Sequence, residues 1–242
     1  APVQAFIDVF QEKNIEITML EAREPMGLAK RDHIAAICNM ERIQNRWLEV
    51  YNRLPNNEDI DELYEKVTPK MLDSIEKFSE PIDNVIDTMS KLRELGIKLG
   101  STTGYIDVMM DKLIPMAATS GIHLDAVVNS SDCKEGRPSP FMIFRNMEHL
   151  GIYNVKEILK VGDTVADVLE GKNAGTWTAA VTYSGNEFGI SKSDFIKLNE
   201  GEKEEKLAYA TNRLQNAGAD FIINDISEII NLITEINHTE IN

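Results

Sequence analysis

The sequence predicts an α/β fold: a parallel sheet with helices on both faces, joined to a smaller all-helical module. Three observations carry this. From Pro81 onward, short apolar runs alternate with helix-length amphipathic segments, the pattern of a parallel sheet. Before about residue 78 no convincing strand occurs, and apolar residues recur at helical spacing. The strand-like runs end in Thr, Gly and Asp, at the sheet edge where open α/β folds bind ligands.

The elements follow in order. Phe6, Ile7 and Phe10 give the first segment a helical stripe. Thr18 and Glu21 form a capping box opening a second helix, which Pro25 and Gly27 end. Helices are expected over 29–38 and over 41–52, the latter carrying Ile43, Trp47 and Val50. Asn56 or Asn57 caps a long acidic helix, with Pro69 as a kink or break. A helix over 83–95 stops at Gly96. Strands are expected over 97–103, 124–129, 157–162, 177–182 and 220–223. Helices over 105–120, 140–150, from 164 to near Gly175, 202–217 and 227–236 follow them in turn. The charged cluster from Lys203 to Lys206 reads as a solvated helix face.

Bulk properties narrow the function classes. A chain of 242 residues suits one large domain, or a core with a companion. Apolar residues at 43% and charged residues at 27% are ordinary for a soluble globular protein. A net charge of −15 argues against nonspecific binding to nucleic acid or to an anionic membrane. The cations that hold an anionic substrate must then be local. Cys38 and Cys133 show neither metal-ligand spacing nor a disulfide framework, so both are read as structural in a reducing cytoplasm. No run approaches transmembrane length, and the first residues lack a basic segment followed by an apolar signal core.

The chemistry concentrates at strand ends. In LKVGDTVAD (159–167) a buried strand delivers Asp163 to the sheet edge, and Asp167 follows one helical turn later. Paired carboxylates suit Mg²⁺, although Asp and Thr at a helix start are also ordinary caps. Thr103 ends the first strand, and Arg137 follows the second within GRPSP. A hydroxyl, a guanidinium and a carboxylate pair at successive strand ends make a phosphoryl site. Singly, Thr103 reads more simply as a helix cap and Arg137 as a surface ion pair; their shared order and strand-end placement carry the site.

That order resembles the haloacid dehalogenase-like superfamily. The segments PMGLAKRDH (25–33), IKLGSTTGY (97–105), EGRPSPFM (135–142), LKVGDTVAD (159–167) and EGKNAGTWT (170–178) narrow the likeness to its phosphonatase family. The resemblance runs from Ala1 to about Ala219. It implies a Rossmann-like core over 79–242 and an all-helical cap domain over 1–78. It implies hydrolysis of the P–C bond of a small phosphonate aldehyde, with Mg²⁺ as cofactor and a cytoplasmic homodimer formed through the cap. It also assigns roles. Lys30 forms a Schiff base with the aldehyde, and His33, on the same helix face, assists its proton transfers. Met26 packs near the lysine, and Tyr105 orients substrate or water. Thr103 and Arg137 bind phosphoryl oxygens, and Asp163 and Asp167 serve the metal. Without the resemblance Lys30 is an exposed helix lysine, His33 a helix histidine with no task, and Met26 core. Trp47 and Tyr51 are cap packing or part of the dimer contact.

The superfamily's nucleophile, an aspartate in a motif like Asp-x-x-Gly-Thr at the end of the first strand, has no counterpart in the sequence. Asp8 does not qualify: no Gly-Thr follows it, and Phe6, Ile7 and Phe10 mark a helix. The resemblance places Ala1 just after the nucleophile strand. Either the sequence omits residues of a longer parent, or the protein is truncated and inactive alone. The alternatives in function are a sugar-phosphate phosphatase or phosphomutase of the same superfamily, and an inactive phosphonate-binding remnant.

Overall fold

The computed structural model describes residues 2–239. Five helices come first: α1 (Pro2–Glu12), α2 (Met19–Arg23), α3 (Lys30–Cys38), α4 (Glu41–Tyr51) and α5 (Asn57–Lys77). Local chemistry fixes their starts. The Thr18 hydroxyl accepts from Glu21 N–H while the Glu21 carboxylate accepts from Thr18 N–H, and Asn56 and Asp59 repeat the device on α5. Asn52 closes α4 in the left-handed region, φ 54°. These helices bury one stripe each into a shared core of Phe6, Phe10, Ile34, Ile37, Ile43, Trp47, Leu63 and Met71. The expected break at Pro69 does not occur. α5 runs through it, because Leu63, Val67, Met71 and Ile75 bury one face on both sides of the proline.

The remaining elements alternate: α6 (Val85–Glu94), β1 (Gly100–Thr103), α7 (Asp107–Thr119), β2 (Ala126–Asn129), α8 (Phe141–Leu150), β3 (Leu159–Gly162), α9 (Val165–Ala174), β4 (Trp177–Val181), α10 (Lys192–Phe195), α11 (Glu200–Asn216), β5 (Phe221–Ile223) and α12 (Ile229–Thr239). All pairings are parallel. β4 starts at Trp177 as expected, and the other four strands start one to three residues later than the sequence suggests. At β1, Leu99 already uses its N–H on the Asp125 carboxylate and its carbonyl on Asp125 N–H, so the ladder opens at Gly100.

The sheet is in two hydrogen-bonded pieces, β1-β2 and β3-β4-β5. β1 and β3 each leave one edge unpaired, and both line the same cavity of about 920 Å³. Met89, Leu92, Leu99, Ile143, Leu159, Ile229 and Ile233 supply much of its apolar wall. Its polar end holds Thr102, Arg137, Asp163 and Asp167. Among the described residues, no helix is long and apolar enough to cross a membrane.

Candidate active site

Four segments meet at the C-terminal ends of the strands. They are the turn after β1, the loop between β2 and α8, the turn after β3, and residues 25–29, which join α2 to α3. Two glycines record how tightly they pack. A Cβ on Gly104 would lie 2.4 Å from the Leu28 carbonyl oxygen. Gly27 has φ +95°, and a Cβ there would lie 2.4 Å from Thr164 Oγ1. The segment from the helical part is thus seated on the sheet edge, and α3 begins immediately after it, at Lys30.

Lys30 is 4% exposed, contrary to the exposed lysine its local sequence suggests. Its Nζ lies 5.0 Å from the Tyr105 ring centroid. Burial, reinforced by the Arg137 charge, lowers its pKa to about 8. His33 is fully buried and stacks on Phe6 with ring centroids 3.9 Å apart. Its Nε2 lies 3.0 Å from the Ala22 carbonyl oxygen, so Nε2 carries the proton and Nδ1 the free lone pair. Nδ1 has no partner among the described residues. Burial, then the Lys30 charge, depress the His33 pKa to about 3, which keeps the ring neutral. Met26 packs half-buried against the helical core. Burial raises the Tyr105 hydroxyl.

Thr103 uses its hydroxyl to accept the Tyr105 N–H at 3.1 Å, a local turn contact. Thr102, on the opposite face of the strand, reaches a buried charge cluster that the sequence reading did not contain. Arg137 Nε donates to Glu170 Oε2 at 2.9 Å, and its Nη1 lies 3.0 Å from Asp167 Oδ1. Lys160 Nζ lies 2.9 Å from Asp167 Oδ1 and 2.8 Å from Glu170 Oε2. The Thr102 hydroxyl accepts from Arg137 and Lys160 and donates to Glu170. Arg137 also donates to the Thr102 carbonyl at 2.6 Å and, at 3.4 Å, to Gly27 O in the helical segment. Two cations and two anions balance one another, the condition under which buried charge is tolerated. Two signals could have found Lys160 and Glu170: a lysine inside a buried strand run needs a partner, and Glu170 shares a helix face with Asp167.

The two aspartates are not equivalent. Burial works against the Asp167 carboxylate, but Lys160 and Arg137 outweigh it, with further hydrogen bonds from Thr164 and Lys160, and hold its pKa well below the usual range. Asp163 is pushed the other way, by burial and then by the Asp167 charge. The Asn186 N–H, at 2.8 Å, is its hydrogen-bond donor. A half-buried carboxylate short of positive charge fits a divalent cation. Asp167 is already engaged by Arg137, Lys160 and Thr164, so it suits support more than direct ligation. Among the described residues no group of three or more acidic, His or Cys side chains could hold a metal ion, so further oxygen ligands must complete the set.

The haloacid dehalogenase-like hydrolase family matches residues 1–181. A phosphonoacetaldehyde hydrolase of Bacillus cereus (strain B4264) is 38% identical over 241 residues, covering 100% of this chain and 91% of that protein. The chain is also 38% identical to a bifunctional phosphonoacetaldehyde hydrolase/aminoethylphosphonate transaminase of Clostridioides difficile (strain 630), spanning 38% of its length. The crystal structure of a phosphonoacetaldehyde hydrolase-like protein from Oleispira antarctica superposes with a TM-score of 0.94 at 35% identity, over 98% of this chain and 86% of that one. The chain belongs to the phosphonoacetaldehyde hydrolase family of the haloacid dehalogenase-like hydrolases.

Proposed function

We propose that this chain supplies most of the active site of an enzyme that cleaves the P–C bond of phosphonoacetaldehyde, giving acetaldehyde and phosphate. The observation that carries the reading is Lys30: a buried amine with a pKa near 8, beside Tyr105 and Arg137 at the sheet edge. The neutral amine attacks the aldehyde carbon, and loss of water leaves a protonated imine. The P–C electron pair then has a sink, and an enamine departs instead of a carbanion. Protonation and hydrolysis of the enamine return acetaldehyde and Lys30. His33 takes part through Nδ1, its free lone pair. Thr103 and Arg137 would bind the phosphoryl oxygens, Arg137 by exchanging part of its present hydrogen bonding for the substrate. A Mg²⁺ held by Asp163, with Asp167 beside it, would supply charge neutralisation for the phosphoryl group.

The phosphoryl acceptor in this reading is an aspartate on a further parallel strand, lying in the slot between β1 and β3. The unpaired edges, the apolar walls and the polar end at Thr102 and Asp163 support it. A strand there would pair on both sides and be covered on both faces. Residues 1–78 act as the cap and 79–242 as the core.

Borohydride trapping tests the proposal. With phosphonoacetaldehyde, a protein that includes the acceptor strand should yield Lys30 carrying an N-ethyl group, the product of cleavage before reduction. Peptide mass spectrometry reads the adduct. Phosphate release with Lys30 left unmodified overturns the Schiff base, and phosphate released from a sugar phosphate but not from phosphonoacetaldehyde favours a sugar-phosphate phosphatase. Substrate binding with neither adduct nor phosphate identifies an inactive binding protein.

A further inference from the structure

We propose that Arg23, through the main chain of Asn186, and Arg213, through the Glu187 carboxylate, are positioning residues that couple the seating of the helical part to the orientation of Asp163. The inference rests on reading Asp163 as the principal cation ligand.

The loop joining β4 to α10 lies flat against Asp163. A Cβ on Gly185 would fall 2.6 Å from the Val181 carbonyl oxygen and 2.9 Å from Asp163 Cβ, so the backbone passes where only glycine fits. The next residue, Asn186, gives its N–H to Asp163 Oδ2 at 2.8 Å. Its carbonyl accepts from Arg23 Nη1 at 3.3 Å, and Arg23 is the last residue of α2. A second tie runs in parallel. Arg213 on α11 donates to Glu187 of the loop at 2.6 Å and to Glu24 of the helical part at 3.0 Å. Adjacent residues of the helical part, 23 and 24, thus meet adjacent residues of the loop, 186 and 187.

Arg23 is poorly placed for its own stability. Its Nε is buried without a partner among the described residues, and burial lowers its pKa against the opposing pull of Glu187 and Asp163. A buried group left unsatisfied calls for a compensating role, and orienting the Asn186 main chain is the one its contacts define. The chain from Arg23 reaches Lys30 through the segment seated on the sheet edge. Movement of α2 therefore shifts the imine lysine and the donor to Asp163 together. Partners behind a metal ligand fix its orientation, and losing one commonly weakens metal binding about 10–100-fold.

Mn²⁺ titration followed by electron paramagnetic resonance, on the complete enzyme without substrate, tests this independently of turnover. Arg23→Gln should raise the Mn²⁺ Kd about 10-fold, and Arg23→Lys should restore part of the loss. A Kd within twofold of wild type in Arg23→Gln overturns the coupling. Should that variant fail to fold, Glu24→Gln, at an exposed position, decides: a rise of about threefold supports the coupling and no rise overturns it. Asp163→Asn separates the two levels. If it binds Mn²⁺ as tightly as wild type, Asp163 is not the ligand and the earlier reading fails. If it abolishes binding while Arg23→Gln and Glu24→Gln change nothing, only the coupling fails.

Discussion

Replacing Lys30 with Met should stabilise the fold while abolishing imine formation. Lys30 is buried and its pKa falls from 10.5 to about 8, burial being the larger cause and Arg137 the smaller. That gap corresponds to about 3 kcal/mol of folding free energy lost to holding a charged amine in place. The Tyr105 face offsets about 0.5–1 kcal/mol, which the methionine would forgo, leaving a net gain of about 2 kcal/mol. The pH dependence follows from proton counting. Below pH 8 the amine is charged in both folded and unfolded chains, and the full cost is present. Between pH 8 and 10.5 the unfolded chain binds a proton that the folded chain does not, so wild-type stability rises with pH. Above that range the cost is gone. Urea denaturation of wild type and Lys30→Met at pH 7 and pH 10 reads the difference directly, other titrating groups cancelling between the two. The variant should be more stable at pH 7, and the gap should shrink by pH 10. A gap unchanged with pH, or a variant less stable at pH 7, refutes a depressed lysine. The same shift bears on chemistry: at pH 7 about 10% of Lys30 is neutral, roughly 300-fold more than an unperturbed lysine offers.

Glu170→Gln leaves Arg137 and Lys160 facing Asp167 alone, an uncompensated buried cation that should cost about 3–5 kcal/mol in urea denaturation. Adding Lys160→Met restores the balance and should recover most of the loss; no recovery would mean that the cluster is not held by charge neutrality. Gly104→Ala places a methyl against the Leu28 carbonyl, a backbone atom that cannot swing aside. It should destabilise by about 1–3 kcal/mol and slow borohydride trapping at Lys30, because the displaced segment carries the lysine. Unchanged trapping would show that the seating of residues 25–29 does not set the position of Lys30.

The order of elements was legible because its signals are local. Capping boxes at Thr18 and Asn56 and the alternation beyond Pro81 belong to contiguous residues. Strand starts were less legible, since the Asp125 side chain takes the Leu99 N–H from across the sheet. The strand-end residues could be picked out, but not what surrounds them. Nothing near Lys30 in the sequence shows that Gly104 and Thr164 lie beneath its segment. Thr103 stood out as the strand's last hydroxyl, yet Thr102 faces the buried charges, and neighbouring strand residues point to opposite faces. Lys160 and Glu170 each carried a signal that a partner was needed, but which partners, distant in sequence, they meet is set only by the fold. The slot between β1 and β3 has no local signature, for it is defined by two strands that fail to meet.

The charges at the sheet edge also constrain how a dianionic substrate could be handled. In the free protein Arg137 serves two ends at once: it pairs with Asp167 and Glu170, and it adds to the lowering of the Lys30 pKa. A phosphonate arriving beside Lys30 would act oppositely, favouring the ammonium form and suppressing attack on the aldehyde. The fixed pair of Arg137 and Lys160 is already matched by two carboxylates, so it contributes no net charge to offset the newcomer. Asp163 adds negative charge rather than removing it. On the proposed reading, a cation at Asp163 would serve the lysine as much as the phosphoryl group. Its charge would offset the substrate's field at Lys30 and leave a larger share of the amine neutral once the phosphonate is bound. On this reading metal occupancy and imine formation are linked, and the link runs through electrostatics rather than through shared ligands.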